Sequence, residues 1–468
     1  MTVHAITVHG LRSFGTEQSI SLATPTGAPG SGLTVLVGPN NSGKSTVVEA
    51  FRLLVAQGAA SVTEGKRNSR PDGRVRIVVE LPQGEMTGLE TVDAGGGETK
   101  RIGEDIKALD REILVLPSRR YFNPFFDRLL SDRSRYMTHF EVSAVRGSPI
   151  DHFSGRLFRV QEKADRRKKF DDIMSRVVDP PPEWVIDLSD TGRYYLKFTS
   201  GDSHHSSDGL GDGLVSLLFI VDALYDSEEG NLIVIDEPEL SLHPGHQRRL
   251  CELFKERSAN RQIVLATHSP YFVDFESIAY GAQIVRVVKK KDEQGESSRA
   301  YALSDGSRKS IAGLLGDANN PHVLGLDARE VFFLSDGIVL VEGQEDVIDY
   351  KKVLQELGLQ LNGDFYGWGV GGASKMETVA RILSDLGFER VVGIVDRNQA
   401  DTLASLSESF PHYKFFLLPA DNVRTKPKVK CRAAIPGILD ERRMVRDEHK
   451  EAMTRLIGEV NRALRRPQ

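Results

Sequence analysis

One short stretch constrains this chain more than any other. Residues Leu33–Val37 (LTVLV) form an unbroken apolar run, and Gly38-Pro39-Asn40-Asn41-Ser42-Gly43-Lys44-Ser45 follows at once. Thr46 and then apolar residues at helical spacing, Val47, Val48, Ala50, Phe51, Leu53 and Leu54, complete the pattern. A buried strand, a glycine-rich turn and a helix in that order bring loop N–H groups and a helix N-terminus onto one anion. The turn fits G-x-x-x-x-G-K-[ST], so Lys44 is expected to reach the β- and γ-phosphates of ATP and Ser45 to ligate Mg²⁺. A chance glycine-rich turn is the alternative, and the strand and helix around it weigh against that. An α/β fold is predicted.

A second apolar run, Leu232–Ile235, ends in Asp236-Glu237-Pro238-Glu239. At the end of a strand, Asp236 can hold Mg²⁺ through water, and Glu237 points elsewhere and can polarise an attacking water. Farther on, IVLATHSP places His268 at another strand end, where it could sense charge developing on the γ-phosphate. A lone histidine is more often structural; its position downstream of the acidic pair favours the functional role.

These residues resemble the ABC-type ATPases: a nucleotide loop, IDEPE, LHP at Leu242–Pro244, then THSP. The opening GLRSFGTEQSISL is similar to the first strands of the DNA-repair and SMC-like branch. Where that family carries its signature motif, this chain has Ser206–Gly213 (SSDGLGDG) before an apolar helix. The variant is similar to that of the "overcoming lysogenization defect" (OLD) nucleases. The resemblance implies that Gly211, Asp212 and Gly213 dock on ATP held by a second protomer, in a head-to-tail homodimer. Gly209 is an equally placed alternative.

A second α/β unit is expected from about residue 336. VLVEGQEDV brings Glu342 and Asp346 to a strand-to-helix turn, and VVGIVDRN ends a strand in Asp396. Three carboxylates at strand ends suit a divalent ion, which prefers hard oxygen ligands and can activate water for phosphodiester cleavage. A solvated acidic strand edge is the alternative. The segment resembles a Toprim domain, and an ATPase followed by Toprim is the OLD order. One departure stands out: that family expects DxD, and this chain reads Asp396-Arg397-Asn398. Downstream, Asp421, Arg424, Lys426, Lys428 and Lys430 look like the basic segment that supplies a phosphate-facing lysine in OLD nucleases.

Composition sets the outer limits. Lys+Arg total 61 against 66 Asp+Glu among 468 residues, a net charge of −5. That sum hides segregation: 119–169 carries +7 with eight interleaved Phe and Tyr, and 421–468 carries +6. Local basic density of this kind can meet phosphates; a helical dimerisation arm with a solvated basic face is the alternative for the first segment. Two cysteines support neither a disulfide framework nor a four-thiolate zinc site. No run is long and apolar enough to span a membrane, and no secretory signal opens the chain, so a cytoplasmic protein is expected.

The expected organisation is therefore an ABC-type P-loop ATPase over 1–335 with a helical basic insert at 119–183. A parallel α/β Toprim-like domain over 336–440 and a charged helix over 441–468 follow. The resemblance implies an ATP-dependent DNA endonuclease of antiphage defence, using Mg²⁺ or Mn²⁺ at Glu342, Asp346 and Asp396. It also implies a partner protein from the same operon. The other reading is a non-nucleolytic ATPase sensor or scaffold with a degenerate Toprim domain that acts through a partner. Long coiled-coil arms of the SMC type would need far more heptad-patterned sequence than the insert offers.

Overall fold

In the computed structural model the run Leu33–Val37 is β3, buried along its whole length. It follows β1 (Ala5–His9) and β2 (Gln18–Ser21) and leads into α1 (Lys44–Val55). The structure describes all residues except 1, 57–60, 63, 64, 70–72, 104–111, 140–149, 151, 201, 207, 208, 210, 294, 317–319, 335, 427–434 and 466–468. The described chain divides into two compact units, Met1–Ala302 and Leu303–Gln468.

The first unit holds two sheets around α1. One is antiparallel, β2-β1-β4-β5-β6, with β4 at Arg76–Glu80, β5 at Met86–Thr91 and β6 at Thr99–Ile102. The other adds β7 (Ile113–Leu116), β8 (Leu232–Asp236), β9 (Gln262–Ala266), β10 (Gln283–Asp292) and β11 (Gly295–Ala302) to β3. Its order is β11-β10-β3-β9-β8-β7, parallel throughout except for the β10–β11 hairpin. Strands β3, β7, β8 and β9 are buried from end to end, as expected of parallel strands covered on both faces. The apolar face of α1 (Val47, Ala50, Phe51, Leu54) belongs to one core with Ile6, Val8, Ile77 and Val79 of the first sheet. Leu36, Val115, Val234 and Val264 of the second sheet complete that core.

The insert follows β7. Its described helices are α2 (Arg133–His139), α3 (Phe153–Gln161) and α4 (Ala164–Ser175), and they lead to a small antiparallel sheet built on Glu183–Leu188 and Tyr194–Ser200. The two longer helices of the core are α5 (Asp212–Tyr225) and α6 (Pro244–Arg257).

In the insert the aromatic side chains divide between core and surface, Phe125 being exposed. Phe122, Phe126, Phe153 and Phe158 are buried, and Phe153 stacks on Phe219 of α5 at 3.7 Å between centroids. Several basic side chains pair with acids: Arg159 and Arg166 both with Glu162, Arg167 with Asp171, and Lys168 with Asp172. Helical spacing of three and four residues explains this, because it puts opposite charges side by side. Phe140 and Arg146 lie outside the described residues.

The second unit is a parallel sheet of order β13-β12-β14-β15, with β12 at Ile338–Leu340, β13 at Asp364–Phe365, β14 at Val391–Val395 and β15 at Lys414–Leu417. Helices α7 (Gln344–Glu356) and α8 (Ala373–Asp385) flank it. The unit boundary falls at Ala302/Leu303, so residues 303–334 join the second unit rather than the first. The terminal helix α9 (Asp447–Ala463) is no free charged tail. Its Met453, Leu456 and Val460 share a core with Val339, Val392 and Ile394. No helix among the described residues is long and apolar enough to cross a membrane.

Candidate nucleotide site and acidic cavity

Parallel pairing decides the geometry of the first site. Strands β3, β9, β8 and β7 are neighbours running in one direction, so the residues just past their C-terminal ends share one edge. Those residues are Gly38–Ser45 after β3, His268 after β9, Asp236 at the end of β8, and Arg120 beyond β7.

The loop needs its first glycine. Gly38 has φ +131°, and a Cβ there would lie 2.2 Å from the Val287 carbonyl oxygen. Gly43, at φ +117°, caps α1, where a Cβ would press on the hydroxyls of Ser298 and Ser13. Ser298 Oγ also donates to the Ser42 carbonyl at 2.5 Å, tying the loop to β11. Asn41 adopts φ +60°, and Asn40 and Asn41 are exposed at the loop tip. Ser42 and Thr46 are buried.

Lys44 folds over its own loop, donating to the carbonyls of Gly38 at 2.8 Å and Pro39 at 3.0 Å. Its Nζ lies 3.5 Å from His268 Nδ1. Burial pulls the Lys44 ammonium down to about 8, against the carboxylates of Asp236, Glu239 and Glu237, so it remains mostly charged at neutral pH. Burial, with the Lys44 charge, lowers His268 to about 4, which leaves a neutral imidazole. Asp236 moves the other way: burial, then the charge of Glu237, pushes it up to about 7 while Ser45 Oγ donates to it at 3.1 Å. A hydroxyl and a carboxylate in mutual contact, inside a pocket that resists negative charge, fit a Mg²⁺-bound phosphate in the chemistry of their donors.

Sequence reasoning missed Glu239. Its carboxylate accepts from Thr267 Oγ1 at 2.7 Å and from the His268 N–H at 2.6 Å, fixing the turn that carries the histidine. The second Glu of IDEPE was the available signal; only folding reveals its partner. Glu237 sits at φ +48°, a left-handed conformation for a residue with a Cβ.

Helix α5 begins at Asp212 with Gly211 as its N-cap, so Gly209 lies outside the helix. Gly211 and Asp212 are exposed, while Gly213 packs so closely that a Cβ would come 2.2 Å from the Ser241 carbonyl oxygen. Ser207, Asp208 and Leu210 of the same motif lie outside the described residues.

In the second unit, β12 and β14 are paired neighbours, which places Glu342 beside Asp396: the Asp396 N–H donates to Glu342 Oε1 at 3.1 Å. Asp346, in the first turn of α7, accepts from the Gly343 N–H at 2.8 Å. A cavity of about 320 Å³ is lined by His322, Glu342, Glu345, Asp346, Asp396, Asn422 and Lys426. Burial, working against the Gly343 backbone bond and with the Glu342 charge, raises Asp346 to about 6; burial, then Glu342 and Asp346, raises Asp396 to about 7. Such a set suits a hard cation by charge. It does not close on one: among the described residues no three His, Cys, Asp or Glu side chains are arranged to hold a metal ion. Asn398 is exposed on the turn after Asp396, and the amide near that carboxylate comes from Asn422 instead, Nδ2 to Oδ2 at 3.3 Å. Lys428 and Lys430 lie outside the described residues.

Comparison with known proteins supports an ATPase-type first unit. Residues 5–109 match the family described as "AAA domain", and residues 89–274 match "AAA domain, putative AbiEii toxin, Type IV TA system". The first unit is a P-loop ATPase-type domain. The chain is 23% identical to the OLD nuclease of Thermus scotoductus, over 69% of this chain and 70% of that protein. It is also 23% identical to the Septu protein PtuA of Bacillus thuringiensis, over 53% of this chain and 68% of that protein. Among solved structures, the SMC head domain from Thermotoga maritima is 17% identical over 64% of this chain and 98% of that one, at a TM-score of 0.36. An Smc head derived from Pyrococcus furiosus is 12% identical over 67% of this chain and 99% of that one, at 0.42. Scores this low carry no argument from shape.

Proposed function

We propose that the chain is an ATP-dependent DNA endonuclease of the OLD type, acting in antiphage defence. Its ABC-type domain binds and hydrolyses ATP as a head-to-tail homodimer, and its Toprim-like unit cuts DNA. One observation carries this reading: a nucleotide cradle and an acid-lined cavity, each at the C-terminal edge of a parallel sheet, occur in one chain. The OLD nuclease relative supports their pairing.

At the cradle, Lys44 and the loop N–H groups hold the phosphates, and Ser45 and Asp236 would hold a Mg²⁺ ion, which would supply charge compensation. Glu237 polarises the attacking water, and neutral His268 offers a hydrogen bond toward the γ-phosphate. The exposed start of α5 (Gly211, Asp212) is free to meet nucleotide on a second protomer. In the second unit Glu342, Asp346 and Asp396 would have to draw together to hold Mg²⁺ or Mn²⁺, which would supply charge compensation for phosphodiester cleavage, and Lys426 would face the substrate phosphate.

A plasmid-nicking assay with Mg²⁺ or Mn²⁺ tests this. Cleavage by wild type, lost in Glu342→Ala while ATP turnover persists, is the expected result. No cleavage by wild type, or full cleavage by Glu342→Ala, overturns the nuclease reading. The exposed Asn398 and the unclosed carboxylate set favour a second reading: a non-nucleolytic ATPase that signals through a partner protein. Cleavage that appears only in Asn398→Asp would point there.

A further inference from the structure

Arg120 is buried, and all five of its N–H donors are used. Nε and one Nη2 hydrogen meet Ser216 Oγ on α5 at 2.9 and 2.7 Å. Nη1 donates to the carbonyls of Pro117 at 2.6 Å and Asp236 at 2.7 Å, and Nη2 to the carbonyl of Glu237 at 3.0 Å. No direct carboxylate pairing to this guanidinium occurs among the described residues. Its charge instead faces Asp236, Glu239 and Glu237 across the turn, and although burial lowers it to about 10 it stays protonated at neutral pH.

Three chain segments meet at this one side chain: the end of β7, the turn after β8, and the second turn of α5. The turn is the strained one. Glu237 holds φ +48°, and its N–H is already committed to the Ala266 carbonyl at 2.7 Å. A left-handed residue with a Cβ is strained and persists only where its surroundings over-determine it. Arg120 supplies the other half of that determination by binding the carbonyls on both sides of the Glu237 N–H and Cα. Ser216, one turn beyond Asp212, ties the same guanidinium to the helix whose exposed start is proposed to meet nucleotide on a second protomer.

We propose that Arg120 is a positioning residue for ATP hydrolysis: it fixes the Glu237 backbone in its left-handed conformation and couples that conformation to the placement of α5. The inference rests on the ATPase reading with Glu237 as the group that polarises water. Lysine cannot replace the arginine, because one ammonium cannot span Ser216 and two successive carbonyls as a planar fork does.

The test compares ATP turnover and ATP affinity in the full-length chain for wild type, Arg120→Lys and Ser216→Ala. In Arg120→Lys, kcat is expected to fall by about tenfold or more while the Kd for ATP stays within about threefold of wild type. Retained binding also shows that the cradle is folded. Ser216→Ala keeps all three carbonyl bonds and removes only the link to α5, and its kcat should fall by a smaller factor at unchanged Kd. Wild-type kcat in Arg120→Lys, or loss of binding and turnover together, overturns the positioning role. Wild-type kcat in Ser216→Ala overturns the coupling to α5. A wild-type protein that does not hydrolyse ATP overturns the ATPase reading and this inference with it.

Discussion

At the scale of single residues, the nucleotide site is a set of opposed protonation shifts. Asp236 lies far above an ordinary carboxyl, at about 7, and His268 far below an ordinary imidazole, at about 4. Raising a carboxyl means that the folded protein binds a proton that the unfolded chain has already released. The associated stability is therefore present at about pH 4 and is lost as pH rises through about 7. Asp346 at about 6 and Asp396 at about 7 push in the same direction in the other unit. With EDTA present, the melting temperature should be lower at pH 8 than at pH 5.5, and Mg²⁺ should raise it more at pH 8, where protons no longer compete for the carboxylates. A melting series across that range, with and without Mg²⁺, checks the sign. Of the residues involved, Lys44, Ser45, Asp236, Glu237 and His268 could be read from motif spacing. Glu239, Arg120 and Asn422 could not, because their roles depend on partners far away in sequence.

At the scale of elements, α5 shows how a polar residue can be required within an apolar helix. Asp222 interrupts the run Gly213–Tyr225, and in the fold it is 2% exposed and pairs with Arg156 of α3 at 2.9 Å. Arg156 also reaches Asp226 at 2.6 Å, and Arg133 of α2 joins the same aspartate at 2.6 Å. The insert is thus bound to α5 by stacked rings and a buried ion network. Removing one member leaves the other charge buried and uncompensated, which costs about 3–5 kcal/mol. Asp222→Ala should lower unfolding stability in a denaturant titration by roughly that amount, whereas Lys168→Ala, with its exposed pair to Asp172, should leave it essentially unchanged. The insert's helices follow from its apolar spacing. Its charge, taken alone, does not choose a partner: local basic density looks the same whether the partners are phosphates or carboxylates four residues away.

At the scale of the whole molecule, two α/β units each present a candidate site at the C-terminal ends of parallel strands. Glu237→Gln should bind ATP and fail to turn it over, holding the proposed head-to-tail dimer. Size-exclusion chromatography with light scattering should then find twice the monomer mass with ATP and not without it, and Lys44→Ala should give no nucleotide-dependent shift. A monomer under both conditions for Glu237→Gln would remove the composite-site proposal. The boundary at Ala302/Leu303 and the burial of α9 in the second core were not readable in advance. Charged residues dominate the exposed face of α9, and the narrower stripe of Met453, Leu456 and Val460 shows its purpose only beside β12 and β14.

The sequence by itself determined the α/β class, the nucleotide loop and the strand ends that carry acids, because each depends on neighbours within one turn or one strand. Periodicity and a glycine-rich turn are local, and local rules are legible in one dimension. The tertiary structure decided which strands lie side by side, and so that Lys44, His268, Asp236 and Arg120 share one edge. It also decided that Asn398 is exposed and does not line the acidic cavity while Asn422 bonds Asp396, and that Arg120 clamps the turn holding Glu237. Those outcomes follow from strand order and burial, where a charge must find a partner wherever the fold brings one, and no spacing along the chain encodes that.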